Sequence, residues 1–311
     1  MIGRCPQKKG AVPKKNMRKK LILAGIFFFT FLLFCFSVKA LQIYKKINFS
    51  RQLSSEIKKE ADSLDAKYSF LVKDLGPWGQ NFADNENNRF IAASLIKLPI
   101  LASAFTAISK GKISLNDIVI IKKEDIVFGS GKLKKCLLPY TLTFKELLEL
   151  MITISDNTAA NKAISLLGID YINASFKEMG LKETLLARKM MDFSKRQKGI
   201  ENYTSAADIS FLLEKIYKKS LGSKELSLLA VSFLKKQKVN DRLPLYLPKT
   251  VIIAHKTGYE RGVVNDAGIV FAPNRKYIIC VLVEGKVTYR KAKKFIANAS
   301  LLAYNLYNHR R

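Results

Sequence analysis

The chain has 311 residues, 48% of them hydrophobic, so it can bury a substantial core, and an intrinsically disordered chain is excluded. Its formal net charge is +29, and residues 1–50 hold 11 of the 54 lysines and arginines but none of the 25 acids. The other basic residues are scattered without a recognition motif, so we predict no nucleic-acid partner.

The N-terminus contains the first predicted element. Residues 21–38 form an uncharged apolar run of 18 residues, long enough to cross a bilayer as a helix, and the basic residues before it favour a cytoplasmic N-terminus. We therefore predict a cytoplasmic tail over 1–20, a transmembrane anchor over 21–38, a stalk over 39–54 and an extracytoplasmic domain over 55–311. A cleaved signal peptide is the alternative, and it would make the domain a secreted one.

Two cysteines, Cys136 and Cys280, fall in the predicted exported domain, where an oxidising compartment permits a disulfide. Nothing in the sequence places them within bonding distance, so their pairing stays open. Cys280 lies in the apolar run YIICVLV, which favours a buried free thiol.

After a mostly helical segment over 41–67, the domain begins with a predicted β-hairpin. Tyr68–Asp74 has strand character, residues 76–79 (GPWG) form a turn, and Gln80–Asp84 returns as the second arm. The middle of the chain is mainly helical, and Thr143 with Glu146 forms a capping box that begins an amphipathic helix. Further helices are predicted over 205–216, 223–236 and 289–307, and strands over 251–256, 264–272 and 277–284.

This order of elements predicts the fold class. The terminal hairpin and the three late strands must meet in one sheet, and short connections between successive strands imply antiparallel pairing. We expect a single α+β domain, in which an antiparallel sheet is flanked by helices and carries an inserted all-helical subdomain.

The residues available for chemistry exclude several enzyme classes. The only histidines are His255 and His309, and the chain has no H-E-x-x-H motif, no Cys/His cluster and no G-x-S-x-G elbow. We therefore predict neither a metal nor a cofactor. If a serine is activated, its base is a lysine kept neutral by burial or by a neighbouring positive charge.

Three short motifs fit that requirement. They are Ser94-Leu-Ile-Lys97, Ser155-Asp-Asn157 and Lys256-Thr-Gly258. Each is common by itself, but the set in this order is specific. Ser94 would begin a helix with Lys97 one turn later, the second motif would join two helices, and the third would end the strand over 251–255. A glycine at position 258 would let a substrate approach the strand closely.

The three motifs resemble those of the penicillin-recognising serine enzymes, and the surrounding sequence is similar to the class A β-lactamases. The matching stretches lie at 92–98, 147–161, 255–258 and 264–270, and the similarity covers about residues 55–308. The resemblance implies the serine β-lactamase or penicillin-binding transpeptidase-like fold, and we predict a monomer. It also implies a β-lactam or a peptidoglycan stem peptide as the substrate.

The resemblance further implies a role for each motif residue. Ser94 would be the nucleophile, Lys97 its general base, and Ser155 the proton shuttle to the leaving nitrogen. The backbone N–H groups of Ser94 and Tyr259 would form the oxyanion hole. The substrate would be held by Asn157 at its amide and by Lys256, Thr257 and Gly258. Lys256 would also help to keep Lys97 neutral. Arg261 would either add to carboxylate binding or be a solvated surface residue.

One departure from the family bears on turnover. The Ω loop of the family reads Arg-x-Glu-x-x-Leu-Asn, and its glutamate activates the deacylating water. In this chain Arg188 matches, but Met190 stands at the place of the glutamate and Ser194 at the place of the asparagine. Asp192 and Glu201 are the nearby carboxylates that could substitute.

Three functions therefore stay open. The first is a β-lactamase, slow because the glutamate is missing. The second is a D-alanyl-D-alanine carboxypeptidase that penicillin traps. The third is a sensor of β-lactams or of the cell wall that binds or acylates a ligand without turnover.

Overall fold

The computed structural model describes residues 14–76 and 79–308. Pro77 and Trp78 of the predicted turn, most of the basic tail and His309 lie outside these residues. The chain divides into two compact units, Met1–Asn48 and Phe49–Arg311.

The helices are α1 (Lys14–Ala61), α2 (Lys97–Ser109), α3 (Phe144–Thr153), α4 (Asn157–Leu167), α5 (Ile169–Met179), α6 (Phe193–Gln197), α7 (Ala206–Tyr217), α8 (Lys224–Lys235) and α9 (Tyr289–Asn308). The strands are β1 (Ala66–Asp74), β2 (Asn81–Asp84), β3 (Phe90–Ile91), β4 (Ile118–Ile121), β5 (Tyr140–Thr143), β6 (Tyr203–Thr204), β7 (Ile252–Glu260), β8 (Val263–Phe271) and β9 (Lys276–Gly285).

The described part of the first unit is the N-terminal portion of α1. Its segment Ile22–Leu41 has a mean hydropathy of 2.2, and none of it is buried by other parts of the protein. By length and composition this segment is able to cross a membrane. A signal sequence near the N-terminus would have the same length and composition.

The second unit begins inside α1, at Phe49. Phe49, Leu53 and Ile57 follow each other at four-residue spacing, so they share one face of the helix, and all three are fully buried. Phe49 and Leu53, which fall within the predicted stalk over 39–54, therefore belong to the core of the folded unit.

The central sheet has the strand order β2-β1-β9-β8-β7, and every neighbouring pair is antiparallel. The prediction that the first hairpin and the three last strands share one antiparallel sheet is therefore confirmed. The α+β class is confirmed as well, although the inserted subdomain is not purely helical, because it also contains the two-stranded sheets β3-β6 and β4-β5.

Helices cover both faces of this sheet. Alternate residues of β1 point to opposite faces, so that Phe70 and Val72 pack with α9 and the buried end of α1, while Leu71 contacts the helical core on the other face. That second core is built around α2, which is buried along nearly its whole length. Because α2 begins at Lys97, its packing fixes the position of this lysine.

The local signals for helix ends are also present. The hydroxyl of Thr143 accepts from the Glu146 N–H at 3.2 Å, and the Glu146 carboxylate accepts from the Thr143 N–H at 2.7 Å, which is the predicted capping box of α3. One predicted boundary is wrong, because the strand predicted over 251–256 continues to Glu260. Cross-strand pairing with β8 continues through the whole third motif.

Candidate active site

Ser94 lies in a 3₁₀ turn, Ala93–Ile96, immediately before α2. The turn is held from β8 by the buried Asn265, whose Nδ2 donates to the carbonyls of Ile91 at 3.0 Å and Ala92 at 3.2 Å. Ala93 adopts a φ of +46°, an uncommon conformation for a residue with a Cβ atom. The serine is thus carried on a strained turn that the sheet holds in place.

Gly258 has a structural role in this arrangement, in addition to the predicted access of a substrate to the strand. A Cβ atom at position 258 would lie 2.9 Å from the carbonyl oxygen of Ala92 and 3.1 Å from the amide nitrogen of Leu95. The close approach that requires glycine is therefore that of the Ser94 turn to β7. This contact fixes the third motif next to the first.

Lys97 is the most constrained polar side chain of the site. Its Nζ lies 3.2 Å from Ser94 Oγ and 3.1 Å from Ser155 Oγ, and it donates to the Ser155 carbonyl at 2.6 Å and to Asn157 Oδ1 at 2.7 Å. The residue is completely buried. Burial lowers the pKa of Lys97 to about 7, against the opposing effect of the Asp156 carboxylate.

Ser155 connects the two buried lysines. Its hydroxyl oxygen accepts from Lys256 Nζ at 3.0 Å as well as from Lys97 at 3.1 Å, and its φ of +56° is again uncommon for a residue other than glycine. Burial and the neighbouring Lys97 hold the pKa of Lys256 well below its ordinary value. The four residues predicted to be catalytic are thus joined by one chain of hydrogen bonds, although burial, rather than the charge of Lys256, is the main cause of the lowered pKa of Lys97.

Asp156 and Asn157 fix the loop that faces Ser94. The carboxylate of Asp156 caps α4 by accepting from the Ala159 N–H at 2.9 Å and also accepts from the backbone N–H groups of Lys132 and Leu133. Asn157 donates from Nδ2 to the carbonyl of Phe128 at 3.0 Å. The second motif therefore lies at a junction between helices, as predicted, and it ties that junction to the loop before β5.

These elements enclose a cleft of about 420 Å³ at Ser94. Its volume is in the range of small-molecule sites. Its wall is formed by residues of the Ser94 turn, the loop before β5, the start of α4, the Ω segment (residues 188–202) and the end of β7: Ala93, Ser94, Gly129, Ser130, Asn157, Arg188, Met190, Met191, Phe193, Arg196, Asn202, Tyr259 and Glu260.

The predicted substrate-binding residues of β7 differ in their exposure to solvent. Thr257 is buried, and Tyr259 is 54% exposed at the cleft wall with its ring 4.3 Å from that of Tyr289. Arg261 is exposed beyond the end of β7, and its carbonyl accepts from Arg196 at 3.5 Å.

Met190 occupies the wall of the cleft and carries no ionisable group. Its backbone is clamped by Asn161, which accepts from the Met190 N–H at 2.7 Å and donates to its carbonyl at 3.0 Å. Asn202 holds the start of the Ω segment in the same way, through the N–H and the carbonyl of Arg188. Neither asparagine was identified as a site residue from the sequence, although Asn161 lies one turn after Asn157 on α4.

The two carboxylates that were considered as substitutes for the missing glutamate have other partners. Glu201 pairs with Arg188 at 2.5 Å and with Arg196 at 3.2 Å. Asp192 caps α6 by accepting from the Lys195 N–H at 3.0 Å. A third carboxylate, Glu260, lines the cleft, but it lies 3.3 Å from Arg188 and its pKa is raised by burial and by Glu201.

Arg242 is a further charged residue that the motifs did not reveal. It is buried, donates to the Tyr289 hydroxyl at 2.8 Å, and contributes to the lowered pKa of Lys256. Its Nε and Nη1 atoms are buried without a hydrogen-bond partner among the described residues. Both ring nitrogens of His255 have hydrogen-bond partners, Asp266 at 2.8 Å and Asn240 at 3.0 Å, so this histidine has a structural role in the sheet.

Within residues 14–76 and 79–308, no group of three or more His, Cys, Asp or Glu side chains is arranged to hold a metal ion. Cys136 and Cys280 are both free thiols, and Cys280 is buried in β9.

Comparisons with known proteins identify the family of this chain. A family model described as the beta-lactamase enzyme family matches residues 52–307. The extended-spectrum beta-lactamase PER-1 of Pseudomonas aeruginosa is 26% identical over 71% of this chain and 76% of its own length. The beta-lactamase AER-1 of Aeromonas hydrophila is 28% identical over 67% of this chain and 69% of its own.

Solved structures share the fold. A beta-lactamase from Sphaerobacter thermophilus superposes with a TM-score of 0.76 at 26% identity, covering 83% of this chain and 96% of its own. The protein PBP-A superposes with a TM-score of 0.77 at 28% identity, covering 84% and 96%. A leucine-to-glutamate variant of PBP-A was solved as an acyl-enzyme complex with penicillin G.

Proposed function

Because the chain belongs to the beta-lactamase enzyme family and is a class A beta-lactamase-like serine hydrolase, we propose that Ser94 opens β-lactam rings and forms an acyl-enzyme that is hydrolysed slowly. The observation that carries this proposal is the environment of Lys97. A neutral amine has two N–H donors and one lone pair. The Ser155 carbonyl and Asn157 Oδ1, which can only accept, take the two donors at 2.6 and 2.7 Å. The lone pair is then available to a hydroxyl group.

Acylation follows from this hydrogen-bond pattern. Lys97 accepts the proton of Ser94 Oγ, which lies 3.2 Å away, as the oxygen attacks the carbonyl carbon. The carbonyl oxygen becomes an oxyanion, which the backbone N–H groups of Ser94 and Tyr259 stabilise. When the ring C–N bond breaks, Ser155 donates its proton to the leaving nitrogen. Ser155 regains a proton from a lysine ammonium, since Lys97 and Lys256 both lie within 3.1 Å of its oxygen.

The substrate carboxylate is proposed to bind at Lys256 and Thr257. Arg242 supports this assignment, because its buried guanidinium adds positive charge next to Lys256 and its Nε atom, which has no hydrogen-bond partner among the described residues, is suited to an anion. We assign no part of this binding to Arg261, which is exposed beyond the strand. Asn157 would hold the substrate amide.

Deacylation is the slow step of the proposed cycle. A water molecule must lose a proton to attack the ester, and the thioether of Met190 cannot accept one. Glu201 and Glu260 are engaged with arginines, and Asp192 caps a helix. The cleft therefore supports acylation better than hydrolysis.

The second candidate function is a D-alanyl-D-alanine carboxypeptidase acting on peptidoglycan stem peptides. Two observations favour it: position 190 has no carboxylate, and the similar protein PBP-A was solved, as a leucine-to-glutamate variant, with penicillin G held as an acyl-enzyme. The terminal carboxylate of a stem peptide would use the same Lys256 and Thr257 site. A sensor that is acylated without turnover would share the first half of the reaction.

A single kinetic experiment separates these functions. A limiting amount of the full chain in detergent is mixed with an excess of a chromogenic cephalosporin, with Ser94→Ala as the control. A burst of about one equivalent followed by slow turnover is expected. A burst that stalls, with release of D-alanine from a stem pentapeptide, identifies the peptidase, and a stall without such release identifies the sensor. The absence of a burst contradicts the acyl-enzyme itself.

We also propose that α1 remains uncleaved and anchors the enzyme in the cell membrane with the catalytic unit outside, as a monomer. The apolar segment Ile22–Leu41 and the basic residues before it support this assignment. The full-length chain should stay in the membrane pellet after an alkaline carbonate wash, and added protease should digest the catalytic unit of intact spheroplasts. A shortened protein in the medium would instead indicate a signal peptide.

A further inference from the structure

Beside the cleft, the chain makes an excursion, residues 118–143, which consists of β4, β5 and the segment between them and is called the arm below. It is unusually apolar at its surface. From Phe49 to Asn308, fifteen large hydrophobic side chains are exposed among the described residues, and five of them lie in these 26 residues: Ile118, Ile120, Phe128, Leu137 and Leu138. Phe128 is 82% exposed and Leu137 is 94% exposed. Such a concentration of exposed apolar side chains indicates an interaction surface.

The charge of the arm indicates what kind of surface it contacts. Lys132, Lys134 and Lys135 are exposed between Phe128 and Leu137, and no acidic residue occurs from position 126 to 145. The nearest carboxylate before this stretch, Asp125, is neutralised by Lys162 at 2.7 Å. Aromatic and leucine side chains next to lysines fit the interface of a bilayer with anionic lipids, where the rings enter the acyl boundary and the ammonium groups meet the headgroups.

The arm is not a loose loop whose apolar side chains are exposed by chance. Leu133 at its middle is fully buried, and Asp156 accepts from the backbone of Lys132 and Leu133 at 2.7 and 3.0 Å. Asn157 holds the Phe128 carbonyl at 3.0 Å, and Lys134 donates to the Gly129 carbonyl. The backbone is therefore fixed by the same residues that form the site, and the apolar side chains are held outward.

We propose that the arm docks on the surface of an anionic membrane, inserting Phe128 and Leu137 while its lysines bind lipid headgroups. This proposal rests on the anchored acyl-enzyme of the previous section. Only seven residues separate Leu41, at the end of the apolar segment, from Phe49, where the catalytic unit begins. A tether of this length keeps the arm at a high effective concentration near lipid, so a weak interfacial contact suffices. Because Gly129 and Ser130 of the arm line the cleft, docking brings the cleft to membrane-resident cell-wall precursors.

The test uses the full chain in nanodiscs that contain either phosphatidylcholine alone or phosphatidylcholine with 30% phosphatidylglycerol. A Phe128→Trp substitution in a Trp78→Phe background reports contact with brominated acyl chains through fluorescence quenching. Phe211→Trp is the matched control, since Phe211 is an exposed phenylalanine on α7, outside the arm. Quenching at position 128 is expected to exceed that at position 211 at least two-fold in anionic discs.

A charge variant tests the role of the headgroups. Replacing Lys132 and Lys135 with glutamine should reduce the quenching at position 128 to the level of neutral discs, whereas the same change at the exposed Lys249 and Lys276 should leave it unchanged. Equal quenching at positions 128 and 211, or a chain that does not remain in the discs, overturns the proposal.

Labelling of Ser94 by a fluorescent penicillin in the same discs distinguishes this proposal from the proposed function. Labelling without selective quenching rejects the docking proposal and leaves the acyl-enzyme proposal intact. Selective quenching without labelling supports docking and rejects the acyl-enzyme.

Discussion

The rate of acylation should depend on pH in a way that follows from the burial of Lys97. The lysine acts as a base only when it is neutral, and burial lowers its pKa from 10.5 to about 7. The neutral fraction then rises from about 1% at pH 5 to about 50% at pH 7, so the second-order rate constant should rise by about 50-fold over this range. This constant reports the free enzyme, so no correction for bound substrate is needed.

The opposite limb of the profile belongs to Lys256. This lysine must keep its proton to bind the substrate carboxylate, but burial and Lys97 hold its pKa well below the ordinary value. The rate constant should therefore fall again when the pH rises through the pKa of Lys256. The two lysines share Ser155 as a partner, so the two limbs describe the pair rather than each residue separately.

The measurement is stopped-flow labelling with a fluorescent penicillin at limiting enzyme, from pH 5 to pH 10. Asp156→Asn is an informative variant, because the Asp156 carboxylate raises the pKa of Lys97 and its removal should move the rising limb to lower pH. Lys97→Met should remove the rising limb and leave a slow reaction. A wild-type rate constant that stays flat from pH 5 to pH 7, or a rising limb centred near pH 10, would refute the explanation that burial keeps Lys97 neutral.

Three other predictions concern turnover and stability. Met190→Glu should increase deacylation by about 100-fold, the usual range for an added general base, while Met190→Gln should not; equal release of product by both variants would contradict the missing-base explanation. Gly258→Ala should lower the free energy of unfolding in urea by about 1–3 kcal/mol and slow acylation, because the new Cβ would meet the Ala92 carbonyl at 2.9 Å, and unchanged values would show that the turn can move freely. Lys97 binds a proton less tightly in the folded chain than in the unfolded chain, so its contribution to the free energy of unfolding increases between pH 7 and 9 by about 2 kcal/mol, and Lys97→Met should lose that increase in urea titrations at the two pH values.

Much of the fold could be predicted because its signals are local. The capping box at Thr143 and Glu146, the alternation in β1 and the apolar runs of β8 and β9 depend on residues close together in the sequence. The error at the end of β7 has a physical explanation as well. Lys256 and Gly258 are of residue types that are depleted in strands, but pairing with β8 keeps both extended, so tertiary context overrides local preference.

The residue types of the candidate site and their roles could be predicted from the sequence, whereas the contacts that hold these residues could not. The three motifs identified Ser94, Lys97, Ser155 and Lys256, because their spacing within each motif is short. Nothing local identified Arg242 or Asn202, since their partners come from distant elements. Asp192 and Glu201 remained alternatives in the sequence until the structure gave each another partner.

The sequence by itself determined which side chains are present, the order of the helices and strands, and the absence of a carboxylate at position 190. Tertiary structure decided the protonation of Lys97, because desolvation and hydrogen bonding depend on what packs around an amine, and here its partners lie 58 and 60 residues away. It also decided that Gly258 accommodates the Ser94 turn. Local patterns follow from neighbouring residues, whereas the electrostatics of a site follow from the exclusion of water by segments that meet only in the folded chain.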